Sequence, residues 1–319
     1  MIRFLQARGH SYTLKKVKGA KGAPAISLMN YDRLIRAVWL RPATHIFTDL
    51  DRLGAWELEL ASHLYLQLKS RGLRVLNCPA TVKTRYPLLR ALHAAGLNDF
   101  NAYRPDEIGD KIRFPVFVRK SHGHRAPISD LLETREELQH TIDSAVAAGT
   151  PLENLIVIEY AGEPVRPGLY RKLAAFRIGN EIVPHISGHD TTWLVKIGKL
   201  GIAGEELYRE ELHLLQTNPF AEHLRKAFDV AHIEYGRADF GIYRGRIQIF
   251  EINTNPHLAP LDEHPSPTRI ESMWYGWEKY LAALRRIDSG GGWPVRVANG
   301  ELQGFRAWKN LWVRSRRVP

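Results

Sequence analysis

The sequence predicts an α/β first subdomain followed by two α+β lobes. Three observations lead there. Strand-like and helix-like segments alternate between residues 44 and 96. Beyond about residue 110 the pattern turns to strands paired in hairpins. Finally, 319 residues with 44% hydrophobic and 25% charged side chains describe a globular chain of about two domains, long enough to bury a sizeable core and to fold unaided.

Taken in order, the basic run YTLKKVKGAKGAP in the first forty residues has no clear apolar period and is expected at the surface. THIFTDL, from Thr44, reads as a short strand. Over 53–70, Leu58, Ala61, Leu64, Tyr65 and Leu68 recur at helical spacing, and Gly72 stops that helix. LRVLNC reads as a second strand and 82–95 as a second helix ending at Gly96, a βαβα unit suited to a parallel sheet, with a boundary expected within 101–110. FPVFVR is the next strand. Ser129, ahead of Leu131 and Leu132, reads as the cap of a helix running to Ala148, and LIVIEY follows as a strand. KLAAFRI, the turn Gly179-Asn180 and EIVPHI form a hairpin; a helix over 219–232, a second hairpin over 236–256 and a helix over 270–287 complete the pattern. No internal repeat or long low-complexity tract is present.

Composition removes several classes of function. The single cysteine, Cys78, can make no internal disulfide and excludes zinc sites needing two thiolates; packing is its expected role, in a reducing compartment. No apolar stretch is long enough for a bilayer, and the start, MIRFLQARGHSYTLKK, is too charged for a secretory signal, so a cytoplasmic location and no membrane partner are expected. The formal charge of +11 favours polyanionic partners, among which nucleotide, nucleic acid and acidic substrate stay open. Neither GxxxxGK[ST] nor GxGxxG occurs. His122 with His124, and His185 with His189, lack a third zinc ligand and read as loop histidines; Asp49 and Asp51 read as helix caps.

The segment with the most chemistry is GRADFGIYRGRIQIFEINTNP, residues 236–256. Ala238, Phe240 and Ile242 alternate on one strand, and Phe250 and Ile252 on the other, so burying both sets on one face requires pairs whose numbers sum to an even value. Centred on Gly245, that register sets Asp239 opposite Glu251 and Arg237 opposite Asn253, on a face that would also hold Ile247 and Ile249. Opposed carboxylates repel unless a cation lies between them. With the amide oxygen of Asn253 they form an all-oxygen set suited to Mg²⁺ or Mn²⁺, and Arg237 beside them would stabilise an anion. The alternative is an ordinary solvent-facing hairpin with Arg237 in a surface salt bridge.

RADF followed by FEINTNP resembles the C-terminal signature of the ATP-grasp superfamily, in the form seen in D-alanine:D-alanine ligase and glutathione synthetase-like enzymes. The resemblance implies ATP and Mg²⁺ as cofactors, an Asp, a Glu and an Asn holding two Mg²⁺ ions on the ATP phosphates, here Asp239, Glu251 and Asn253, and an arginine steadying the intermediate, here Arg237. FPVFVR resembles the strand carrying the family's ATP-binding lysine, a position taken here by Arg119 with Lys120 next to it; either cation could meet a phosphate. The following loop, SHGHRAP, has only Gly123 where the family's phosphate-covering loop is richer in glycine. LIVIEYAGE resembles the hinge strand holding adenine through backbone groups, which puts Glu159 at the hinge and Glu163 at the ribose, and Lys196 in TTWLVK matches a second phosphate lysine. The implied layout is an α/β N-terminal subdomain over 1–105 and ATP-grasp lobes over 106–290, the central one about 106–165 and the C-terminal one about 166–290.

The activity that follows is an ATP-dependent carboxylate-amine ligase, acting through an acyl phosphate on a small-molecule or peptide acid and an amine. Phosphoryl transfer to a hydroxyl needs the same metals. A non-catalytic polyanion binder using the charge of +11 is the third reading; the basic, Trp-rich segment 291–319 invites a nucleic-acid partner, although Trp308 and Trp312 at i, i+4 suit helix packing and Arg314, Arg316 and Arg317 a solvated tail.

Overall fold

The first strand begins at Ile2, well before Thr44. The computed structural model describes residues 1–123, 126–196, 198–258 and 263–297. Its first part contains β1 (Ile2–Gln6), α1 (Lys15–Lys18), β2 (Ile26–Asn30), α2 (Tyr31–Arg36), β3 (Trp39–Leu40), β4 (Thr44–Phe47), α3 (Ala55–Ser70), β5 (Val75–Leu76) and α4 (Arg85–Ala94). Four of these strands form a parallel sheet in the order β2-β1-β4-β5. Every residue of β1 is buried, so the alternation that marks a half-exposed strand is absent, and the charged look of the N-terminus hides a central strand. The basic run after it lies at the surface as expected, except that Leu14 and Val17 turn into the core. Helix α3 buries Ala61, Leu64, Tyr65 and Leu68 of the expected stripe, together with Leu60, and Cys78 packs against the same cluster.

The second part has β6 (Ala102–Tyr103), β7 (Val116–Lys120), α5 (Arg135–Ala147) and β8 (Leu155–Glu159), with an antiparallel sheet in the order β6-β8-β7. Val116 and Val118 pack on Leu138, Ile142 and Ala145 of α5, which turns Phe117 and Arg119 to the opposite face. The cap of α5 is Thr134, not Ser129. The Thr134 side chain accepts from Glu137 N–H and the Glu137 carboxylate accepts from Thr134 N–H, a reciprocal capping box, while the Ser129 hydroxyl accepts from Val118 N–H on the neighbouring strand.

The third part has β9 (Tyr170–Ile178), β10 (Glu181–Asp190), α6 (Glu205–Thr217), α7 (Ala221–Ala231), β11 (Tyr235–Tyr243), β12 (Arg246–Asn253) and α8 (Pro267–Ile287), followed by β13 (Val295–Arg296), which pairs with β3. Its antiparallel sheet runs β10-β9-β11-β12. One face, with Leu173, Ala175, Ala238, Phe240, Ile247 and Ile249, packs on α7. At one end of the other face, Phe176 and Ile178 meet Trp277, Tyr280 and Leu284 of α8, which also reach Ile2, Phe4 and Ile46 of the parallel sheet. Helix α8 therefore joins the two sheets in one core. His185 and His189 are on β10 rather than in loops; burial, and then nearby arginines, pull them down to about 3 and about 4, so both are neutral at ordinary pH. No helix among the described residues is long and apolar enough to cross a membrane.

Two buried polar clamps fix the parallel sheet to the 236–256 hairpin. Asn77, with φ of 63°, donates to Phe47 O and Tyr235 O at 2.9 and 2.8 Å and accepts from Glu234 N–H and Tyr235 N–H at 2.8 and 2.9 Å. Asp49 caps no helix with its side chain; it is buried, accepts from Ala7 N–H and the Asn255 amide at 2.9 Å each, and its own N–H donates to Thr254 Oγ1. Replacing Asn77 by Ala strands several buried backbone groups and should cost about 3 kcal/mol or more in urea unfolding. A loss below about 1 kcal/mol would show that water replaces the clamp.

Candidate functional site

The hairpin turns through Arg244 and Gly245, both left-handed at φ 50° and 74°, as a two-residue turn between twisted strands requires. At its far end the register is the one expected: Arg237 opposes Asn253 and Asp239 opposes Glu251. Between Asp239 and Phe240 the ladder shifts, and Phe240 pairs with Ile249, leaving Phe250 as the extra residue of a β-bulge. This corrects the single register centred on Gly245. On the turn side of the bulge the pair sum is odd, so Ile247 and Ile249 go into the core with Phe240. Phe250 goes to the polar face, where its ring lies over Gly241; a Cβ there would come within 2.8 Å of it.

That face closes one side of a cavity of about 140 Å³ between the β6-β8-β7 sheet and the β10-β9-β11-β12 sheet. Asp239, Glu251 and Arg119 line one end. Phe117, Ile158, Tyr160 and Phe250 give the other an apolar wall, and Trp193 stands against Phe117 and Tyr160 with ring centroids 5.0 and 5.5 Å away. The Trp193 indole N–H donates to the Asp130 carboxylate, spanning the two sheets' lobes. An aromatic-walled cavity that also carries fixed charges suits a ligand with an apolar ring and an anionic tail.

The carboxylates are held by cations. Asp239, with a side chain 3% exposed, receives Arg237 Nε and Nη2 at 2.8 and 3.3 Å and lies 3.1 Å from Lys172 Nζ. Glu251 is paired with Arg85, whose other nitrogen donates to Gly123 O at 2.9 Å. Burial alone would lower Arg237, but Asp239, and more weakly Glu251, outweigh it and raise the guanidinium above its ordinary value. Burial, and then the like charge of Arg85, pull Arg119 down to about 10 against the attraction of Glu251, so it stays protonated at neutral pH.

Other residues named from sequence are spread differently. Lys120 ends β7 exposed and outside the cavity lining, so of the two neighbouring cations Arg119 faces the cavity. The Glu159 carboxylate turns into structure: it accepts from Asn101 N–H, from the Arg113 backbone and side chain, and from Tyr103 O–H. Glu163 lies at the exposed rim and accepts from Arg244 N–H. Lys196 follows the lining segment Trp193, Leu194 and Val195 but is exposed itself; its carbonyl accepts from Lys172. Asn253 faces a second, smaller cavity of about 30 Å³ with Asp51, Arg85 and Ser121, and Glu251 is the wall common to both. His124, Trp308, Trp312 and the terminal arginines lie outside the described residues.

Sequence reading missed Lys172 and Arg85. Lys172 shares the even-numbered face of β9 with Ala174, the partner of Asp239, so strand parity places it beside that acid once the pairing is known. Arg85 is the first residue of α4, where the helix dipole disfavours a cation. That misfit was its one visible signal.

Among the described residues, no three His, Cys, Asp or Glu side chains are grouped to hold a metal by themselves. The two opposed carboxylates nevertheless fit a hard divalent ion whose remaining ligands are water and phosphate oxygens, while the Asn253 amide oxygen lies on the second cavity and accepts from Asn255 N–H at 2.8 Å. Removing the Glu159 carboxylate as Ala should lower stability by about 2–4 kcal/mol, because Asn101 N–H and the Arg113 backbone N–H lose their acceptor, whereas Glu163→Ala at the rim should stay within about 0.5 kcal/mol. Denaturant midpoints compare the two; equal losses would contradict the assigned difference.

No protein-family model and no curated protein matches the sequence. Among solved structures, the D-alanine–D-alanine ligase of Coxiella burnetii is similar over 99% of this chain and 99% of its own, with 14% identity and a TM-score of 0.51. The D-alanine–D-alanine ligase of Bacillus anthracis complexed with ATP gives 12% identity and a TM-score of 0.49 over 90% of this chain and 96% of that one. The L-amino acid ligase of Bacillus licheniformis gives 9% and 0.47 over 80% and 66%. The near end-to-end likeness to the Coxiella protein shows that this chain shares that protein's fold, here with two antiparallel sheets facing each other across the cavity.

Proposed function

We propose that the protein is an ATP-dependent carboxylate-amine ligase acting through an acyl phosphate. The observation that carries this reading is the pair Asp239 and Glu251, opposed across one ladder at the charged end of a cavity with an apolar slot at the other. The adenine would lie in the slot against Phe117, Tyr160 and Trp193, with the backbone at 160–161 at its edge and the ribose toward Glu163. Arg119 and Lys172 face where the phosphates would run. Asp239, Glu251 and Asn253 would hold Mg²⁺ or Mn²⁺, which when bound supplies charge neutralisation of the phosphates.

The acid's carboxylate oxygen attacks the γ-phosphorus, the bond to the bridging oxygen breaks, and ADP leaves. The amine nitrogen then attacks the acyl carbon, phosphate departs with the electron pair, and the nitrogen loses a proton. Arg237 is tied to Asp239 at 2.8 Å and can also donate toward an oxyanion beside it, so it would hold the negative charge that develops on the acyl phosphate. The acid would lie on the γ-phosphate side of Glu251, the residue the two cavities share.

Hydroxylamine should intercept the acyl phosphate. With ATP, Mg²⁺ and a panel of acids, a substrate acid should yield a hydroxamate in step with ADP, and Glu251→Gln should lower that yield by at least about 10²-fold while leaving the folded state intact. A stable phosphoester with no hydroxamate would instead indicate phosphoryl transfer to a hydroxyl. No ADP from any acid, together with binding to polyanions that weakens steeply with salt, would indicate the non-catalytic reading.

A further inference from the structure

The two acids at the site are neutralised in different ways. Asp239 is held by Arg237 on its own strand and by Lys172 on the adjacent one, so all three charges belong to one sheet. Glu251 is held from outside the sheet by Arg85, at the first position of α4, and that guanidinium also ties down Gly123 in the loop after β7. The Arg85 side chain is only 8% exposed. A buried guanidinium at the positive end of a helix is unfavourable on both counts, and the pairing with Glu251 offsets both. Arg85 also lines the second cavity beside Asp51, Ser121 and Asn253, at the wall the two cavities have in common. Arg85 meets Glu251 through Oε2, and a divalent ion on the same carboxylate would bring two cations together, which repel.

We propose that Arg85 is an exchange cation: it occupies Glu251 when the metal is away, and metal binding releases it toward the anions that enter with the metal. Arg85 is then a positioning residue acting through Glu251. Two consequences follow. Metal alone binds weakly because it must displace a buried ion pair, and nucleotide strengthens metal binding because the displaced guanidinium gains a new anionic partner. By linkage the metal strengthens nucleotide binding by the same factor. This rests on the metal reading of Asp239 and Glu251 given above.

Mn²⁺ titrations followed by electron paramagnetic resonance, with and without ADP, test it on the full chain. Arg85→Gln should bind Mn²⁺ at least about tenfold more tightly than the unsubstituted protein without ADP, and the enhancement produced by ADP should shrink by a similar factor. Arg85→Lys, which keeps the charge, should retain weak nucleotide-free binding. Unchanged or weaker Mn²⁺ binding by Arg85→Gln without ADP overturns the exchange role. Glu251→Gln separates the two readings: loss of Mn²⁺ binding in the presence of ADP leaves the metal site standing even if the exchange role fails, whereas unchanged binding sinks both.

Discussion

Repulsion between two acids placed opposite each other on paired strands organises this protein. Asp239 and Glu251 are fixed by backbone register, so side-chain motion cannot separate them by much, and the surrounding structure supplies positive charge from three directions. Arg237 comes from the same strand, Lys172 from the neighbouring strand, and Arg85 from a helix that belongs to the first part of the chain. Cations so placed stabilise the ligand-free state, and two of them, Lys172 and Arg85, also line the cavities on either side of Glu251. One constraint thus accounts for both the fold's local charge balance and the chemistry assigned to it.

The scaffold around that pair holds the hairpin from two sides. Asn77 and Asp49 join the base of the hairpin to the parallel sheet through buried hydrogen bonds, and α8 packs against both sheets. Across the cavity, the β6-β8-β7 sheet meets the hairpin through the apolar wall of Phe100, Ile158 and Phe250, and the segment after β7 reaches the segment after β10 through Asp130 and Trp193. The chain leading into β6 is also clamped to the hairpin by polar contacts of the buried Asn98 and Gln248: Asn98 donates to Ile249 O and accepts from Ile249 N–H, and Gln248 accepts from Asp99 N–H and donates to the Asp99 carboxylate. The cavity therefore lies where two sheets face each other across a shared apolar cluster.

Much of this was legible in the sequence where one face of an element is buried and the other is not. Alternation along 236–256 placed Arg237, Asp239, Glu251 and Asn253 together, and the structure has those pairings. The same parity rule failed beyond Asp239, because a bulge adds one residue and reverses the faces of Ile247, Ile249 and Phe250; nothing in the hydrophobic pattern distinguishes that from an unbroken ladder. Strand β1 was hidden because burial on both faces leaves no period. The cap of α5 is written in the sequence as Thr-x-x-Glu at Thr134, whereas Ser129, equally cap-like by residue type, gives its hydroxyl to a strand. Asp49 looked like a cap and is a buried clamp, a role that depends on Ala7 and Asn255, which are distant in sequence. Lys172 and Arg85 could be assigned only once pairing and packing brought them to the acids.

The most direct test of the central claim is the location of manganese by anomalous scattering in crystals grown with a non-hydrolysable ATP analogue. The account predicts a peak bonded to oxygens of both Asp239 and Glu251 and to the nucleotide phosphates, with Arg85 moved off Glu251. A nucleotide bound with no such peak, or a peak touching neither carboxylate while Arg85 and Lys172 keep their present partners, would contradict it.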